Sequence, residues 1–487
     1  MKEVFFVKKS LLLKTIIFTV FIVLINGIYS YAEEDYDGYI VKLKKRPYLS
    51  LMSTSVLEPV YEKYNLYKID EEDVSLLNPE SVEFIEPNGT LKPASYEPND
   101  EYYRIQKKYM ELIGAPYAWE HNYLAEGVKI AFLDTGINQN HIDLVGRNIV
   151  ALDYSGTGEV TESSYHGTCV VGAAAATTNN KIGLAGIAQA DIYMMKIFSA
   201  EKASFDAALS ALKDAIETYD CDVINMSVEA DSMSTKIRNE FNSIAGDAAK
   251  RGKVVVASAG NKGENMYAYP AACSNIISVG SVDENGVLSD FSTYNDQVFV
   301  TAPGDNLPLL HGNPENNMFA MGSGTSFSAP IVSGAIAVLK GIDNTLSEGD
   351  IRNIIKYSAT DAGDRGYDIK YGWGILNIEK MIKMITNDKY KLRSVYPIYD
   401  DLNHKLKISY FNSSKQAKDH QSLIIGVFDE NEQLVKLSDF KELSLNPFEE
   451  KEFVFDMEIK TGEHAKVFCV ADLERFIPSA ETEIFYN

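Results

Sequence analysis

The sequence predicts an α/β protein: a doubly wound parallel sheet, preceded by a small α/β unit and followed by a β-sandwich. Three observations predict it. Between residues 128 and 279, short apolar, β-compatible runs alternate with amphipathic stretches of helical length. That is the pattern of strands buried on both faces by crossover helices. Beyond residue 388 the helical periodicity stops, and only short strand-like segments with polar turns remain. Of the 487 residues 45% are hydrophobic, enough for two or three cores in a chain of this length.

Residues 1–32 read as a signal peptide. Lys2, Lys8, Lys9 and Lys14 accompany an apolar stretch over residues 15–25, and Ser30-Tyr31-Ala32 places small residues where a signal peptidase reads. The run is short for a bilayer span, so the mature protein is expected to be soluble, secreted and without a membrane anchor. Residues 33–97 hold the small α/β unit, with strands over 39–43 and 82–86 and a turn at Pro87-Asn88-Gly89. Residues 92–100, with Pro93 and Pro98, read as an exposed, cleavable linker. The main domain is expected over 98–387. A helix over 105–113 opens it. Strands over 128–133, 192–197, 222–227, 254–257 and 276–279 interleave with helices over 204–219 and 237–251. Helices over 331–340, 351–357 and 378–385 close it. Residues 388–487 form the β-sandwich, with strands over 406–410, 423–428, 452–455, 466–471 and 482–486, and no chemistry is legible there.

Charge narrows the function. A net charge of −23 and a pI near 4.8 exclude nucleic acid as the expected partner. Cys169, Cys221, Cys273 and Cys469 are too few and too scattered for a disulfide framework or a zinc site, though one incidental disulfide is compatible with them.

The chemistry gathers around Gly324-Thr325-Ser326-Phe327-Ser328-Ala329-Pro330, a small, flexible turn ahead of a helix. A serine there meets free N–H groups and the positive end of the helix dipole, which suits a nucleophile whose reaction generates an oxyanion. A simple helix cap has the same local look, so the reading needs a base and a group to orient it. His166, in His166-Gly167-Thr168, is the candidate base, and Asp134, at the end of its strand, the candidate orienter. Asn261, after Ser258-Ala259-Gly260, offers its amide to the oxyanion together with the backbone N–H of Ser326. Asp134 and Asn261 both sit where a strand gives out, and reactive groups of parallel sheets gather at carboxyl ends.

The segments Phe132-Leu133-Asp134-Thr135-Gly136, His166-Gly167-Thr168 and Gly324-Thr325-Ser326, in that order, resemble the three active-site motifs of the subtilases, the subtilisin-like serine peptidases. The likeness runs over about residues 98–386 and takes in Ala259-Gly260-Asn261, Val223-Ile224-Asn225-Met226-Ser227 and Ala302-Pro303-Gly304. It implies a subtilisin-like fold and a serine endopeptidase acting on proteins or peptides through an acyl-enzyme. Asp134, His166 and Ser326 would form the triad and Asn261 the oxyanion hole, with no cofactor for catalysis. It also makes the unit within 33–97 a propeptide that aids folding, inhibits the enzyme and is cut off near residues 91–102, and so implies a monomeric, secreted zymogen. A dedicated protease that matures exported precursors is the alternative, and an inactive peptide-binding relative a more distant one.

By the same resemblance Ser227, Val228 and Glu229 face Ser258, Ala259 and Gly260 across the substrate cleft. Glu229 stands where the family commonly has glycine; its carboxylate would favour basic substrate residues unless Lys262 offsets it. Cys169 replaces a second histidine, and Phe327 a methionine. Asp143 matches a family calcium carboxylate, and Thr178-Asn179-Asn180-Lys181-Ile182 resembles the calcium loop with one extra residue. Structural calcium on Asp143 and Asn180 is compatible with these hard oxygen donors, with Lys181 speaking against it.

Overall fold

The structure, a computed structural model, describes residues 36–486 except 46–56, 62–63, 70–73, 75–76, 78–80, 90–95, 162–164, 201, 313–318, 387–391, 401–402, 413–417, 430–432, 439–440, 447–448, 461, 473–476 and 479–482. The expected signal peptide and the start of the expected linker, with Pro93, lie outside these residues.

Strands β1 (Tyr36–Leu43), β2 (Glu58–Tyr61), β3 (Leu66–Ile69) and β4 (Val82–Gly89) form an antiparallel sheet in the order β2-β3-β1-β4. Val41, Leu43, Tyr67 and Ile69 bury its apolar side. The expected turn at Pro87-Asn88-Gly89 is instead strand, because β1 extends far enough for Tyr36 to pair with Gly89.

The main domain is built on seven parallel strands: β5 (Lys129–Asp134), β6 (Ile149–Asp153), β7 (Asp191–Lys196), β8 (Val223–Met226), β9 (Val254–Ser258), β10 (Ile276–Val282) and β11 (Val298–Pro303). Their order is β11-β10-β9-β8-β5-β7-β6. The order reverses between β5 and β8, and such a switch point opens a crevice at the carboxyl ends of the strands.

Helices cover both faces. One carries α1 (Tyr103–Leu112), α2 (Ala115–Glu120) and α3 (His166–Ala175), and the other α4 (Phe205–Glu217) and α5 (Thr235–Lys250). The chain then returns to the first face with α6 (Thr325–Ile342), α7 (Glu348–Ser358) and α8 (Ile378–Thr386). Side chains set several of the starts. Ser204 accepts from the N–H of Ala207, Ser234 from that of Ile237, and Ser347 forms a capping box with Asp350.

Helix α6 begins at Thr325, not at the expected residue 331, and Pro330 lies inside it. Proline has no N–H to give to the carbonyl four residues back, which is that of Ser326. The hydroxyl of Ser227 donates to that carbonyl instead, at 2.7 Å. By length and composition α6 resembles a membrane span, but 83% of it is buried, which makes it the domain's core helix.

Beyond residue 391 the described strands pair antiparallel in two sheets. One holds β14 (Leu392–Asp400), β15 (Lys405–Asn412) and β19 (Glu450–Asp456); it follows a hairpin of the main domain, β12 (Leu307–Leu310) and β13 (Phe319–Gly322). The other centres on β16 (Lys418–Phe428), flanked by β17 (Leu434–Leu437), β18 (Lys441–Leu445) and β20 (His464–Asp472). Ile408, Leu423, Ile425, Phe453 and Val467 bring both sheets into one core, a β-sandwich. It meets the main domain at α7, where Tyr357 stacks on Phe411 at 4.7 Å and Lys356 pairs with Glu450 at 2.9 Å. All four cysteines are buried and none is joined to another in a disulfide, so the incidental disulfide is not formed.

Candidate active site

Strand β5 delivers Asp134 to the carboxyl edge of the sheet, fully buried. Its Oδ1 accepts the N–H of Thr135 at 2.7 Å and lies 2.7 Å from Nδ1 of His166. His166 is the first residue of α3, entered through Tyr165 in the left-handed region (φ 63°). Two further bonds lace α3 to the end of β5. Gly167 N–H donates to Thr135 Oγ1 at 3.0 Å, and Asn138 N–H donates to Thr168 Oγ1 at 2.9 Å. The approach is so close that a Cβ on Gly167 would stand 2.1 Å from the carbonyl oxygen of Gly136. The glycine after the histidine is therefore a packing requirement.

Ser326 sits in the first turn of α6, whose N-cap is Gly324. It does not cap the helix. Asn261 follows β9, and its Oδ1 accepts both the N–H and the hydroxyl of Thr325, at 2.8 and 3.0 Å. An amide whose oxygen is so engaged turns its NH2 group the other way, toward the cleft. The cleft, of about 320 Å3, is lined by His166, Ser326, Asn261, Ser227, Val228, Glu229 and Ser258, together with Thr135 and Phe198. With Nδ1 held by a buried carboxylate, the imidazole is set up to exchange a proton through Nε2 on the cleft side.

Residues 125–374 match the sequence model of Peptidase S8, the subtilase family. The chain belongs to the subtilase family. It is 35% identical over 324 residues to the thermophilic serine proteinase of Bacillus sp. (strain AK1), covering 64% of this chain and 77% of that protein. It is 34% identical to thermitase of Thermoactinomyces vulgaris, covering 56% of this chain and 94% of the relative. Among solved structures, a protease from Pseudoalteromonas arctica aligns with a TM-score of 0.52 at 25% identity, over 59% of this chain and 99% of that one. A lanthipeptide protease aligns at 0.51 with 22% identity, over 60% and 99%, and shows the same fold. The protein is a serine-type endopeptidase.

In this subtilase the segment Ala259-Gly260 is tied into the sheet behind the cleft wall. Ala259 is buried, with its N–H on the carbonyl of Val279, and Gly260 gives its N–H to Thr325 Oγ1 at 3.2 Å. The space beside Gly260 is taken by the Glu229 side chain. Glu229 Oε2 accepts the N–H of Asn261 at 3.0 Å, and its Oε1 lies 3.6 Å from Lys262 Nζ. Lys262 also pairs with Asp231 at 3.2 Å; Asp231 first, then Glu229, hold the ammonium more firmly protonated than usual.

Asp143 and Asn180 do meet. Asp143 Oδ1 accepts from Asn180 Nδ2 at 2.7 Å, and its Oδ2 accepts the N–H of Leu184 at 2.8 Å. A second carboxylate, Asp100, escaped the sequence reading. It accepts the N–H groups of Asn179 and Asn180 at 2.9 and 3.2 Å. The signal for it lay in the expected linker, whose end is docked: Pro98 and Asp100 are buried, and Asn99 exchanges bonds with Asn179 and Lys181. Burial pushes the Asp143 carboxyl up to about 7, with the charge of Asp100 adding to the rise, and burial raises Asp100 as well. Two desolvated carboxylates beside an amide-rich loop are the hard oxygen donors a divalent cation takes. But Asn180 turns its Nδ2 toward Asp143 and gives its Oδ1 to the N–H of Ile182 at 2.7 Å, so its amide would have to flip to ligate an ion. No group of three or more His, Cys, Asp or Glu gathers among the described residues, so such an ion would complete its shell from amide and carbonyl oxygens.

Proposed function

We propose that this subtilase cuts peptide bonds with Ser326 as nucleophile, His166 as base and Asp134 as orienter. The observation that carries the reading is the 2.7 Å contact between His166 Nδ1 and the buried Asp134, opening on a cleft that also holds Ser326 and Asn261. The Ser326 hydroxyl attacks the scissile carbonyl and loses its proton to Nε2 of His166. Asp134 keeps the imidazole in the right tautomer and stabilises the imidazolium. The oxyanion receives Asn261 Nδ2 and the backbone N–H of Ser326. The imidazolium then protonates the leaving amine, and water resolves the acyl-enzyme by the same path.

The enzyme is read as a secreted zymogen: signal peptide 1–32, inhibitory propeptide 33–97, peptidase domain 98–387 and a β-sandwich 388–487 that packs on α7. The separate apolar core of the N-terminal sheet supports a removable unit, and the hydrogen bonds from Asn179 and Asn180 to Asp100 support keeping Asp100 with the peptidase domain after the cut. Asp100, Asp143 and Asn180 would hold one calcium ion, which stiffens the loop and takes no part in the chemistry. The Glu229 carboxylate reaching across the cleft favours a selective enzyme, one that matures particular exported precursors, over a broadly degrading one.

Purified wild type and Ser326→Ala test the reading. Wild type is expected to lose its N-terminal unit and digest casein, and the variant to keep the unit and digest nothing. An unprocessed, inactive wild type, or an active variant, overturns it.

A further inference from the structure

We propose that Glu229 makes this cleft select lysine or arginine on the acyl side of the cut bond. The proposal rests on the serine-peptidase reading above, because that chemistry orients the substrate. The leaving amine lies toward His166, which protonates it. The acyl half lies on the other side of Ser326, with its carbonyl oxygen at Asn261. The side chain before the cut therefore runs along the wall of Ser227, Val228, Glu229 and Ser258.

Glu229 supplies the one carboxylate of that lining. Its Oε2 reaches the opposite wall and takes the N–H of Asn261 at 3.0 Å. Gly260, at φ +104°, admits it; a Cβ there would stand 2.9 Å from Oε2. Among the described residues the other oxygen's partner is Lys262, at a loose 3.6 Å, and Lys262 is held closer by Asp231, at 3.2 Å. Among the described residues one cation, Lys262, serves both carboxylates, so one negative charge at the cleft is left without a cation there. A large apolar substrate side chain would strip water from that oxygen without replacing its hydrogen bonds. A guanidinium or ammonium would supply the missing cation through a charge-assisted bond. The net charge of −23 draws such substrates to the enzyme.

The test uses matched fluorogenic peptides that differ only in the residue before the cut: Arg, Lys, Leu or Ala. Wild type is expected to favour Arg over Leu by about tenfold or more in kcat/KM. Glu229→Gln keeps an oxygen for the Asn261 N–H but removes the charge, and should lower the Arg-to-Leu ratio about tenfold. Lys262→Gln removes the competing cation from an exposed site and should raise the ratio. A wild type that prefers Leu, or a ratio unmoved by Glu229→Gln, overturns the inference while leaving an active serine peptidase. A wild type that cuts none of the peptides and resists a serine-directed fluorophosphonate overturns the catalytic reading, and this inference falls with it.

Discussion

One oxygen of a buried carboxylate fixes the imaginable motions of the imidazole. Asp134 Oδ1 is shared by the N–H of Thr135 and by His166 Nδ1, so the ring can turn only by giving up that contact. Asp134→Asn preserves the shape but offers the wrong hydrogen-bonding partner to the histidine tautomer. It should lower kcat by about 10^4-fold and leave thermal unfolding nearly unchanged. Asn261 is a different case, since its amide acts on charge that develops only in the transition state. Asn261→Ala should lower kcat by about 10^2–10^3-fold with KM little altered, as steady-state kinetics on one peptide can read. Asp134, His166, Ser326 and Asn261 were all legible as residue types in small, Gly-rich settings. The Thr325 bonds that aim Asn261, and the folding of Glu229 onto the Asn261 N–H, were not legible, because they join side chains far apart in the chain.

At the scale of the element, helix placement decides activity. Gly167 lets α3 approach β5 until the histidine reaches its carboxylate, and a methyl group has no room against the Gly136 carbonyl. Gly167→Ala should therefore displace the imidazole by a fraction of an ångström to an ångström and cut kcat/KM by about 10^2-fold, while His166 and Asp134 remain chemically intact. A crystal structure of the variant checks the cause. Strands β5, β7, β8, β9 and β10 were readable because their central residues are mostly buried and apolar, as those of central parallel strands must be. Strand β6 went unseen because it is a sheet edge with every residue only half-buried. The start of α6 was misplaced because Pro330 usually marks a helix boundary, and the hydroxyl that substitutes for its missing donor comes from Ser227, nearly a hundred residues away.

Over the whole molecule, two buried carboxylates meet the loop of Asn179 and Asn180 from different parts of the chain. Asp100 and Asp143 are both buried, and Asp100 ties the entering chain to the loop after Thr178. If calcium sits between them, chelation should lower the midpoint of thermal unfolding, with a loss of about 2–3 kcal/mol relative to calcium at a hundredfold excess over Kd. Asp100→Asn should shrink that calcium-dependent shift, and identical melting with and without calcium in wild type would remove the site. The β-sandwich was legible as a class from its short alternating strands, but its contact with α7 through Tyr357 and Phe411 has no signature in either segment alone.

The most direct test of the whole account is covalent labelling of the processed enzyme with a serine-directed fluorophosphonate, mapped by peptide mass spectrometry. The account predicts one label per chain, on Ser326, lost in Ser326→Ala and strongly slowed in His166→Ala. A label on another residue, or peptide hydrolysis that survives in Ser326→Ala, would contradict it.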